Sequence, residues 1–459
     1  MSSLPPSDPS PQNWNRQLLA LAGPIVLANL SVPLPGIVDT AVMGHLPEAS
    51  GLAAVGLGAV IFSTLFFAFG FLRMSTVAIT AQSFGAGDWA ETRATLYRSI
   101  AVAFVICVPM LTFQVWLGEG AFDLTDATDQ VKRLGLDYFN IRIWGAPAAL
   151  INMAMLGWLF GLGSMRIPVV VQIATNLINV VLDFLFVFGF GWGIEGVAAA
   201  TVIAEWSGTL IGAVAILSII RKRGGDRIPL AALMSAGHVR RLLGVNRDIF
   251  IRTLCLLIAF AHFKVAGTAF GTEVLAANIV LLIFLDLCSY GLDAFANAAE
   301  ILVAHTIGRR DEASFRKVVR LSHAWAFAVA IPSTLVFLVL GDLVVAGLTD
   351  QASVREQAST YLFWAAIMPV TACWAFTIDG IYIGATWSSS LRNAMVVALV
   401  LYLAAQWVLA GQFGNHGLWA ALNIFLFLRG ALLGALYPRL ARTVSGGTAG
   451  AGGSQARAR

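Results

Sequence analysis

Residues 50–60 read SGLAAVGLGAV, and residues 84–93, a short distance downstream, read FGAGDWAETR. Two similar segments, EVLAANIVLLI at 273–283 and IGRRDEASFR at 307–316, follow at an offset of 223 positions. Hairpins with turns of small residues can resemble one another without a repeat, but two matches at one offset favour an internal duplication. These segments therefore predict that the chain contains two copies of one structural unit.

Long apolar runs alternate with short polar segments along the chain. Of 459 residues, 58% are hydrophobic and 12% are charged, whereas soluble domains have about 45–50% apolar and about 25% charged residues. This composition excludes a soluble globular protein. Because a helix needs about 20 mainly apolar residues to cross a bilayer, the runs predict about twelve transmembrane helices. They lie near residues 17–43, 51–83, 94–118, 131–161, 168–190, 195–220, 245–270, 274–303, 314–346, 357–384, 391–412 and 416–438.

The spans and the repeat together predict an all-α polytopic membrane protein of about 12 transmembrane helices in two pseudosymmetric six-helix lobes. GIEGVAAAT at 193–201 and GNHGLWAAL at 414–422, which are 221 positions apart, support the division. An even number of spans in each lobe predicts parallel repeats, as in many secondary transporters. The predicted parts are a cytoplasmic N-terminal segment (1–16), an N-lobe (17–220), a cytoplasmic linker (221–244), a C-lobe (245–440) and a disordered cytoplasmic tail (441–459).

Basic residues are concentrated after the sixth and eighth spans, at 221–247 and 309–320. By the positive-inside rule, this distribution places both termini in the cytoplasm and predicts a multi-pass protein of the bacterial inner membrane. The basic residues lie in short segments between the spans and form no aromatic-interleaved face, so no nucleic-acid partner is expected. The expected partners are a small-molecule substrate and the lipid bilayer.

Several acidic side chains fall inside the predicted spans of the first half. An ionisable residue at the centre of a transmembrane helix costs at least about 2.5 kcal/mol on insertion scales. Asp39 lies in the first span, Asp183 lies four residues after Asn179 in the fifth, and Glu205 lies four residues after Thr201 in the sixth. A spacing of four places both residues of each pair on one helical face. Such a cluster predicts a proton or Na⁺ site, although hydrogen bonds that only join helices are the alternative.

The repeat offset allows these positions to be compared with the second half. Position 39 corresponds to His262, whereas positions 179, 183, 201 and 205 correspond to apolar residues, namely Val400, Ala404, Leu422 and Leu426. If the polar groups only joined helices, the second half would need similar groups at these positions. The asymmetry favours a functional site confined to the first half.

The second half has a different polar set in its seventh and eighth spans. Asp286, Asp293, Asn297 and Glu300 are spaced to share one face of the eighth helix. We expect Lys264 and Arg252 to be their counter-ions. A structural ion-pair network and a substrate or second proton site both remain open. The residues of this possible second site are Glu205, His262, Lys264, Asp293, Asn297 and Glu300.

Pro24 lies in the first span, fifteen residues before Asp39. Proline removes a backbone hydrogen bond and allows a helix to bend. A bend at this position could couple the charge state of Asp39 to the shape of a cavity, and a static kink is the alternative.

The sequence contains none of the motifs HExxH, GxSxG or GxxxxGK[ST]. Its four cysteines lie in apolar runs, without a CxxC pair. We therefore expect neither an enzyme nor an ATP-driven pump, and no cofactor beyond a coupling ion, which is H⁺ or Na⁺.

The chain resembles the multidrug and toxic compound extrusion (MATE) transporters, and within them the DinF-like branch. Seven segments carry the resemblance, from the first span to the tenth. They are VPLPGIVDTAVMGHL (32–46), LRMSTVAITAQSFGAG (72–87), NLINVVLDF (176–184), GVAAATVIAEW (196–206), VNRDI (245–249), YGLDAFANAAE (290–300) and DGIYIGAT (379–386).

The resemblance implies a monomeric secondary active exporter that exchanges cationic or amphipathic small molecules for H⁺ or Na⁺ by alternating access. In similar proteins the first-helix carboxylate, here Asp39, is the principal coupling residue. The resemblance also matches Asn179, Asp183 and Thr201 to the ion site and Pro24 to the bend of the first helix. The alternatives are a lipid or polyprenyl-linked oligosaccharide flippase of the same superfamily and a membrane-embedded enzyme or channel.

Overall fold

The computed structural model describes residues 13–31, 34–44, 49–225 and 228–455. Within these residues the chain is almost entirely α-helical and contains no β-strand. Residues 1–12 of the predicted N-terminal segment and 456–459 of the predicted tail lie outside this part. Residues 441–455 of the predicted disordered tail are instead helical, as the last part of α16. The assignment of residues 1–12 and 456–459 stays a prediction.

The described residues form sixteen α-helices joined by short turns. The first eleven are α1 (Trp14–Ser31), α2 (Leu34–Gly44), α3 (Ala49–Ala68), α4 (Phe71–Gly85), α5 (Trp89–Thr112), α6 (Gln114–Asp123), α7 (Asp129–Arg142), α8 (Ala146–Gly161), α9 (Arg166–Phe184), α10 (Gly193–Arg223) and α11 (Leu230–Leu233). The remaining five are α12 (Ala236–Gly267), α13 (Thr272–Gly308), α14 (Glu312–Leu348), α15 (Ala352–Gly384) and α16 (Ser388–Gln455).

Each predicted span coincides with one or two of these helices. The first corresponds to α1 and α2, and the last two both lie in α16, which changes direction at Gly414 with φ of 57° and ψ of −135°. Among the described residues, ten helical segments are long and apolar enough to cross a membrane. The α1–α2 pair is not among them, and α16 counts once although its two halves each match a span. The fold class is therefore the predicted one.

The helices group into two compact units. The N-terminal unit contains Leu27–Phe84 and Asp88–Leu242. The C-terminal unit contains the described residues up to Val26, the short piece Gly85–Gly87, and the chain from Leu243 onward. Helix α1 contributes residues to each unit, because the division falls just after Val26.

The same helix-capping turn recurs in the two halves of the chain. Asp88 accepts a hydrogen bond from the backbone N–H of Glu91 at 2.9 Å and caps α5. Asp311, 223 residues later, accepts one from the N–H of Ser314 at 2.9 Å and caps α14. An aspartate at the N-cap satisfies one of the free N–H groups of the first helical turn. The internal repeat is therefore present in the structure as well as in the sequence.

The left-handed backbone positions follow the same offset. Gly87 has φ of 77°, and Arg310, its equivalent, has φ of 56°. Gly163 has φ of 75°, and Thr386, again 223 residues later, has φ of 55°. Non-glycine residues rarely adopt positive φ. The turn geometry is thus the same in both halves although the residue type has changed.

A pair of glycines brings two helices close together in each unit. In the N-terminal unit, a Cβ on Gly157 of α8 would lie 2.7 Å from the carbonyl oxygen of Arg73 on α4. In the C-terminal unit, a Cβ on Gly380 of α15 would clash with the carbonyl oxygen of Ala296 on α13. A second glycine follows four residues later in each helix, and small residues at this spacing allow membrane helices to approach closely.

The region that the sequence predicts to be a linker is held on α5 by side-chain hydrogen bonds to its backbone. Trp89 Nε1 donates to the carbonyl oxygen of Gly224 at 2.9 Å. Arg98 donates to the carbonyl oxygens of Ala232 and Leu233, each at 2.8 Å. Since three bonds from one helix bind separate points of the segment, the linker packs as part of the N-terminal unit.

Candidate functional site

Two buried acidic side chains are neighbours inside the N-terminal unit. Asp39 on α2 is 5% exposed and Asp183 on α9 is 0% exposed, and α2 packs against α9. Their carboxyl groups interact with each other. Within the described residues, Oδ1 of Asp39 and both carboxylate oxygens of Asp183 are buried without a hydrogen-bond donor. The structure thus brings together the two acids that the sequence predicted to form one site.

Asn179 and Thr201 add polar atoms beside this pair. Asn179 lies one helical turn before Asp183 on α9, and its Nδ2 donates to Oγ1 of Thr201 on α10 at 3.3 Å. The Thr201 hydroxyl donates to the carbonyl oxygen of Val197 at 3.0 Å. Oδ1 of Asn179 is buried and has no donor within the described chain. The Asn179 amide therefore uses its N–H group to bond Thr201 and leaves its carbonyl oxygen as a hydrogen-bond acceptor.

An ion pair joins α7 to α10 in the same unit. Arg142 Nη2 donates to Oε1 of Glu205 at 2.5 Å, and Nη1 donates to Oε2 at 2.9 Å. The guanidinium lies over the rings of Phe62 and Phe66, 5.1 Å and 5.5 Å from their centroids. Bidentate geometry and cation–π contact both stabilise a buried guanidinium. From the sequence, Glu205 was predicted to belong to the possible second site, and no partner was predicted for Arg142.

The charges of these four residues do not balance. If all were ionised, Asp39, Asp183 and Glu205 would give three negative charges, and Arg142 would give one positive charge. An unpaired charge in a low-dielectric interior is strongly unfavourable. The pair Arg142–Glu205 is neutral as a unit, so two negative charges remain on the aspartates. One proton or one Na⁺ compensates one of these two charges.

The described residues contain no group of three or more His, Cys, Asp and Glu side chains that could hold a metal ion. A metal cation at Asp39 and Asp183 would therefore need amide, hydroxyl or carbonyl oxygens as further ligands. Asn179 Oδ1 is an oxygen of this kind, and hard cations prefer oxygen ligands.

The C-terminal unit has a buried charge cluster with a different balance. Asp379 Oδ2 accepts hydrogen bonds from Arg252 at 2.5 Å and from Arg429 at 2.7 Å. Asp293 contributes to the electrostatic environment of Arg429. The sequence assigned Arg252 to the acids of the eighth span, whereas its hydrogen-bond partner is Asp379 of the tenth. Arg429 was missed, because nothing in the local pattern links it to positions 50 and 177 residues earlier.

The other predicted residues of the C-lobe lie on α12 and α13. His262 Nδ1 is 3.3 Å from the Tyr402 hydroxyl. Lys264 contributes to the electrostatic environment of Asp286, as expected for a counter-ion. The remaining three are on α13, where Asp293 and Asn297 are half-buried and Glu300 is buried.

The many membrane-length helices and the buried, charge-unbalanced site define the class of an integral membrane transporter. The chain belongs to the MatE family, whose family model matches residues 24–185 and 249–408. DNA damage-inducible protein F of Escherichia coli (strain K12) is 36% identical over 431 residues, which cover 93% of this chain and 92% of that protein. A probable multidrug resistance protein NorM of Bradyrhizobium diazoefficiens is 27% identical and covers 94% of each chain.

Solved structures show the same fold. A crystal structure of a MATE protein in the bent conformation superposes with a TM-score of 0.86 at 17% identity, over 95% of this chain and 98% of that one. The family and the fold confirm the predicted resemblance and the predicted fold class. The protein is accordingly a multi-span membrane transporter of small molecules and not an enzyme.

Proposed function

We propose that this protein is a secondary active exporter that moves cationic or amphipathic small molecules out of a bacterial cell in exchange for H⁺ or Na⁺. The observation that carries the proposal is the buried pair Asp39 and Asp183, whose charge no described side chain fully compensates. The names of relatives as multidrug resistance proteins support the substrate class. The location is the inner membrane, with both termini in the cytoplasm and a single chain as the working unit.

The coupling ion acts on the charge of the site. A proton on the aspartate pair, or a Na⁺ held by Asp39, Asp183, Asn179 and Thr201, lowers the buried negative charge. A smaller buried charge makes the closed, low-dielectric state less costly. Loss of the ion to the cytoplasm restores the charge. Each ligand then shifts the population of two conformations according to its differential affinity for them.

Pro24 is the proposed bending point of the first span. It lies within α1 and has no N–H for the carbonyl oxygen of Ala20, so one hydrogen bond of the helix is absent at this position. Asp39 follows on α2, the next helix of the same span. A bend of α1 would therefore move the segment that leads directly to the ion site. We expect Pro24→Ala to lower the rate of transport while the midpoint of thermal unfolding stays close to that of wild type.

Transport in proteoliposomes tests the proposal. The purified protein is reconstituted, and uptake or release of a fluorescent cationic dye is followed under an imposed pH gradient and then under an imposed Na⁺ gradient. Wild type should move the dye with one of the gradients, and Asp39→Asn and Asp183→Asn should each abolish that movement. The gradient that works identifies the coupling ion.

Asp350→Asn is the matched control, because this side chain is fully exposed and pairs only with Arg355 at 2.9 Å among the described contacts. It should transport like wild type. Absence of dye movement under both gradients, in protein that elutes as a folded species, would overturn the drug-exporter assignment and favour the flippase alternative.

A further inference from the structure

Arg142 has both terminal nitrogens of its guanidinium bonded to Glu205. The two bonds, at 2.9 Å and 2.5 Å, join residues 63 positions apart on α7 and α10. Both side chains are largely buried, with 8% and 16% exposure. A planar guanidinium and a carboxylate in this fork geometry form the most directional ion pair available to proteins. The pair therefore fixes where the positive charge lies.

The Arg142 guanidinium lies over the rings of Phe62 and Phe66 on α3, and α3 packs against α2, the helix that carries Asp39. The carboxyl group of Asp39 on α2 interacts electrostatically with Asp183 on α9 and with Arg142 on α7. The hydroxyl group of Tyr138, also on α7, interacts electrostatically with Asp39, Arg142 and Glu205. Glu205 is the acid that α10 adds beside Arg142. Helix α3, which also packs against α2, has no ionisable residue. Arg142 is thus the one cation among the described groups that act on Asp39.

We propose that Glu205 is a positioning residue which holds Arg142 away from Asp39, so that Asp39 remains open to the coupling ion. A buried guanidinium without a carboxylate is strongly unfavourable, and it will move to the nearest acid. Without Glu205, Asp39 is the remaining carboxylate among the described groups that act on Arg142. Arg142 would then act as a permanent counter-ion and occupy the place of the H⁺ or Na⁺. The consequence for transport rests on the proposed function, whereas the placement of the charge does not.

Gly145 provides the space in which this pair forms. It lies three residues after Arg142, and a Cβ at this position would lie 2.6 Å from Arg142 Nη1 and would clash with Oε2 of Glu205. A methyl group therefore forces the two side chains apart without any change of charge. Gly145→Ala offers a way to open the pair that is independent of Glu205→Gln.

The test is a pH titration of carboxyl reactivity that does not depend on transport. Dicyclohexylcarbodiimide reacts with protonated carboxyl groups in apolar surroundings, and mass spectrometry measures the fraction of Asp39 labelled at each pH in detergent-solubilised protein. In Glu205→Gln, Arg142 stabilises the ionised form of Asp39, so protonation needs a lower pH. We expect the midpoint of labelling to move down by about one pH unit, a roughly tenfold change in proton affinity.

Three further variants distinguish positioning from general damage. Gly145→Ala should shift the midpoint in the same direction, and Glu205→Asp, which retains a carboxylate, should restore it in part. The double variant Arg142→Gln with Glu205→Gln should return it to within about half a unit of wild type, since the cation is gone. An unchanged or raised midpoint in Glu205→Gln, or a double variant that titrates like Glu205→Gln, overturns the proposal.

Dye transport by wild type, measured alongside the labelling midpoints of the variants, separates this inference from the proposed function. If wild type shows no gradient-driven transport while the labelling midpoints shift as described, the exporter assignment fails and the positioning role of Glu205 stands. If wild type transports and the midpoints do not move, the reverse holds.

Discussion

Arg252 donates a hydrogen bond to Asp379 at 2.5 Å across 127 residues of chain. Arg429 donates to the same carboxylate oxygen, so the acid of the C-terminal unit has two cationic partners. Asp39 and Asp183 of the N-terminal unit have the opposite balance. Among the described groups that act on Asp39, the cation is Arg142, which is already paired with Glu205. Among the described contacts, the acid of one half of the repeat thus has more cationic partners than it needs, and the two acids of the other half have too few.

The first prediction concerns Asp379. Its replacement by Asn leaves two buried guanidinium groups without their shared carboxylate. Loss of one partner of a buried ion pair destabilises a protein by about 3–5 kcal/mol. We therefore expect Asp379→Asn to lower the midpoint of thermal unfolding in detergent, measured by tryptophan fluorescence. Asp350→Asn, at an exposed acid, should unfold like wild type. Equal stability of the two variants would show that the cluster is not structural.

The second prediction concerns the close contact between α13 and α15. A Cβ on Gly380 would clash with the backbone carbonyl of Ala296, which cannot move as a flexible side chain can. Overpacking of a buried contact costs about 1–3 kcal/mol, so Gly380→Ala should lower thermal stability. Gly347→Ala is the matched control, because no neighbouring atom lies within 4 Å of the position that its Cβ would take and the glycine is exposed in α14. A destabilisation of equal size in both variants contradicts this reasoning.

Much of the fold could be predicted because hydropathy and the repeat are properties of short segments. Apolar runs mark the spans directly, and the offset of 223 relates Asp88 to Asp311, which cap equivalent helices. Helix α16 shows where the boundaries predicted from hydropathy differ from the boundaries of the helices. The polar residues around Gly414 separate two spans in the sequence, whereas helical structure continues on both sides of the kink at this glycine.

The acidic residues of the candidate ion site could be identified from the sequence, whereas the pairing of the arginine beside them could not. Asp39 stood out as an acid in an apolar span. Asn179 with Asp183, and Thr201 with Glu205, stood out as polar pairs at a helical spacing of four. The pairing of Arg142 with Glu205 depends on how α7 packs against α10, and no local pattern encodes that packing. Gly145 was equally hidden, since its role is visible only when both side chains lie beside it.

The third prediction concerns the linker. Arg98 donates to the backbone carbonyls of Ala232 and Leu233 and forms a 2.6 Å ion pair with Glu91. Arg98→Met removes these bonds while keeping most of the side-chain volume. Loss of about 1.4 kcal/mol of local stability corresponds to roughly tenfold faster amide exchange. Hydrogen–deuterium exchange should therefore increase in peptides that cover the linker.

The control for this experiment is Arg316→Met. This change removes an exposed ion pair between Arg316 and Glu312, which both lie on α14. Its linker peptides should exchange at the wild-type rate. Unchanged exchange in Arg98→Met would mean that these hydrogen bonds do not hold the linker on α5.

The fourth prediction separates the two candidate ions at Thr201. A proton needs a single carboxylate, whereas Na⁺ binds several oxygen ligands. Thr201→Val keeps the shape of the side chain and removes the hydroxyl that contacts Asn179. If Na⁺ is the coupling ion, the Na⁺ concentration for half-maximal transport should rise roughly tenfold, a loss of about 1.4 kcal/mol. If H⁺ is the coupling ion, the pH dependence should change little. A total loss of transport with either ion would contradict both assignments.

The central claim is that Asp39 and Asp183 couple the movement of the ion to that of the substrate. Its most direct test uses a substrate gradient, instead of an ion gradient, as the driving force. Coupling between two ligands is reciprocal, so an imposed substrate gradient must move the ion. Proteoliposomes loaded with the cationic dye and diluted into dye-free buffer are monitored with an internal pH indicator and with ²²Na⁺. The account predicts that dye efflux drives uptake of H⁺ or of Na⁺ in wild type and that Asp39→Asn abolishes this uptake. Dye efflux without movement of either ion, or ion uptake that persists in Asp39→Asn, would contradict it.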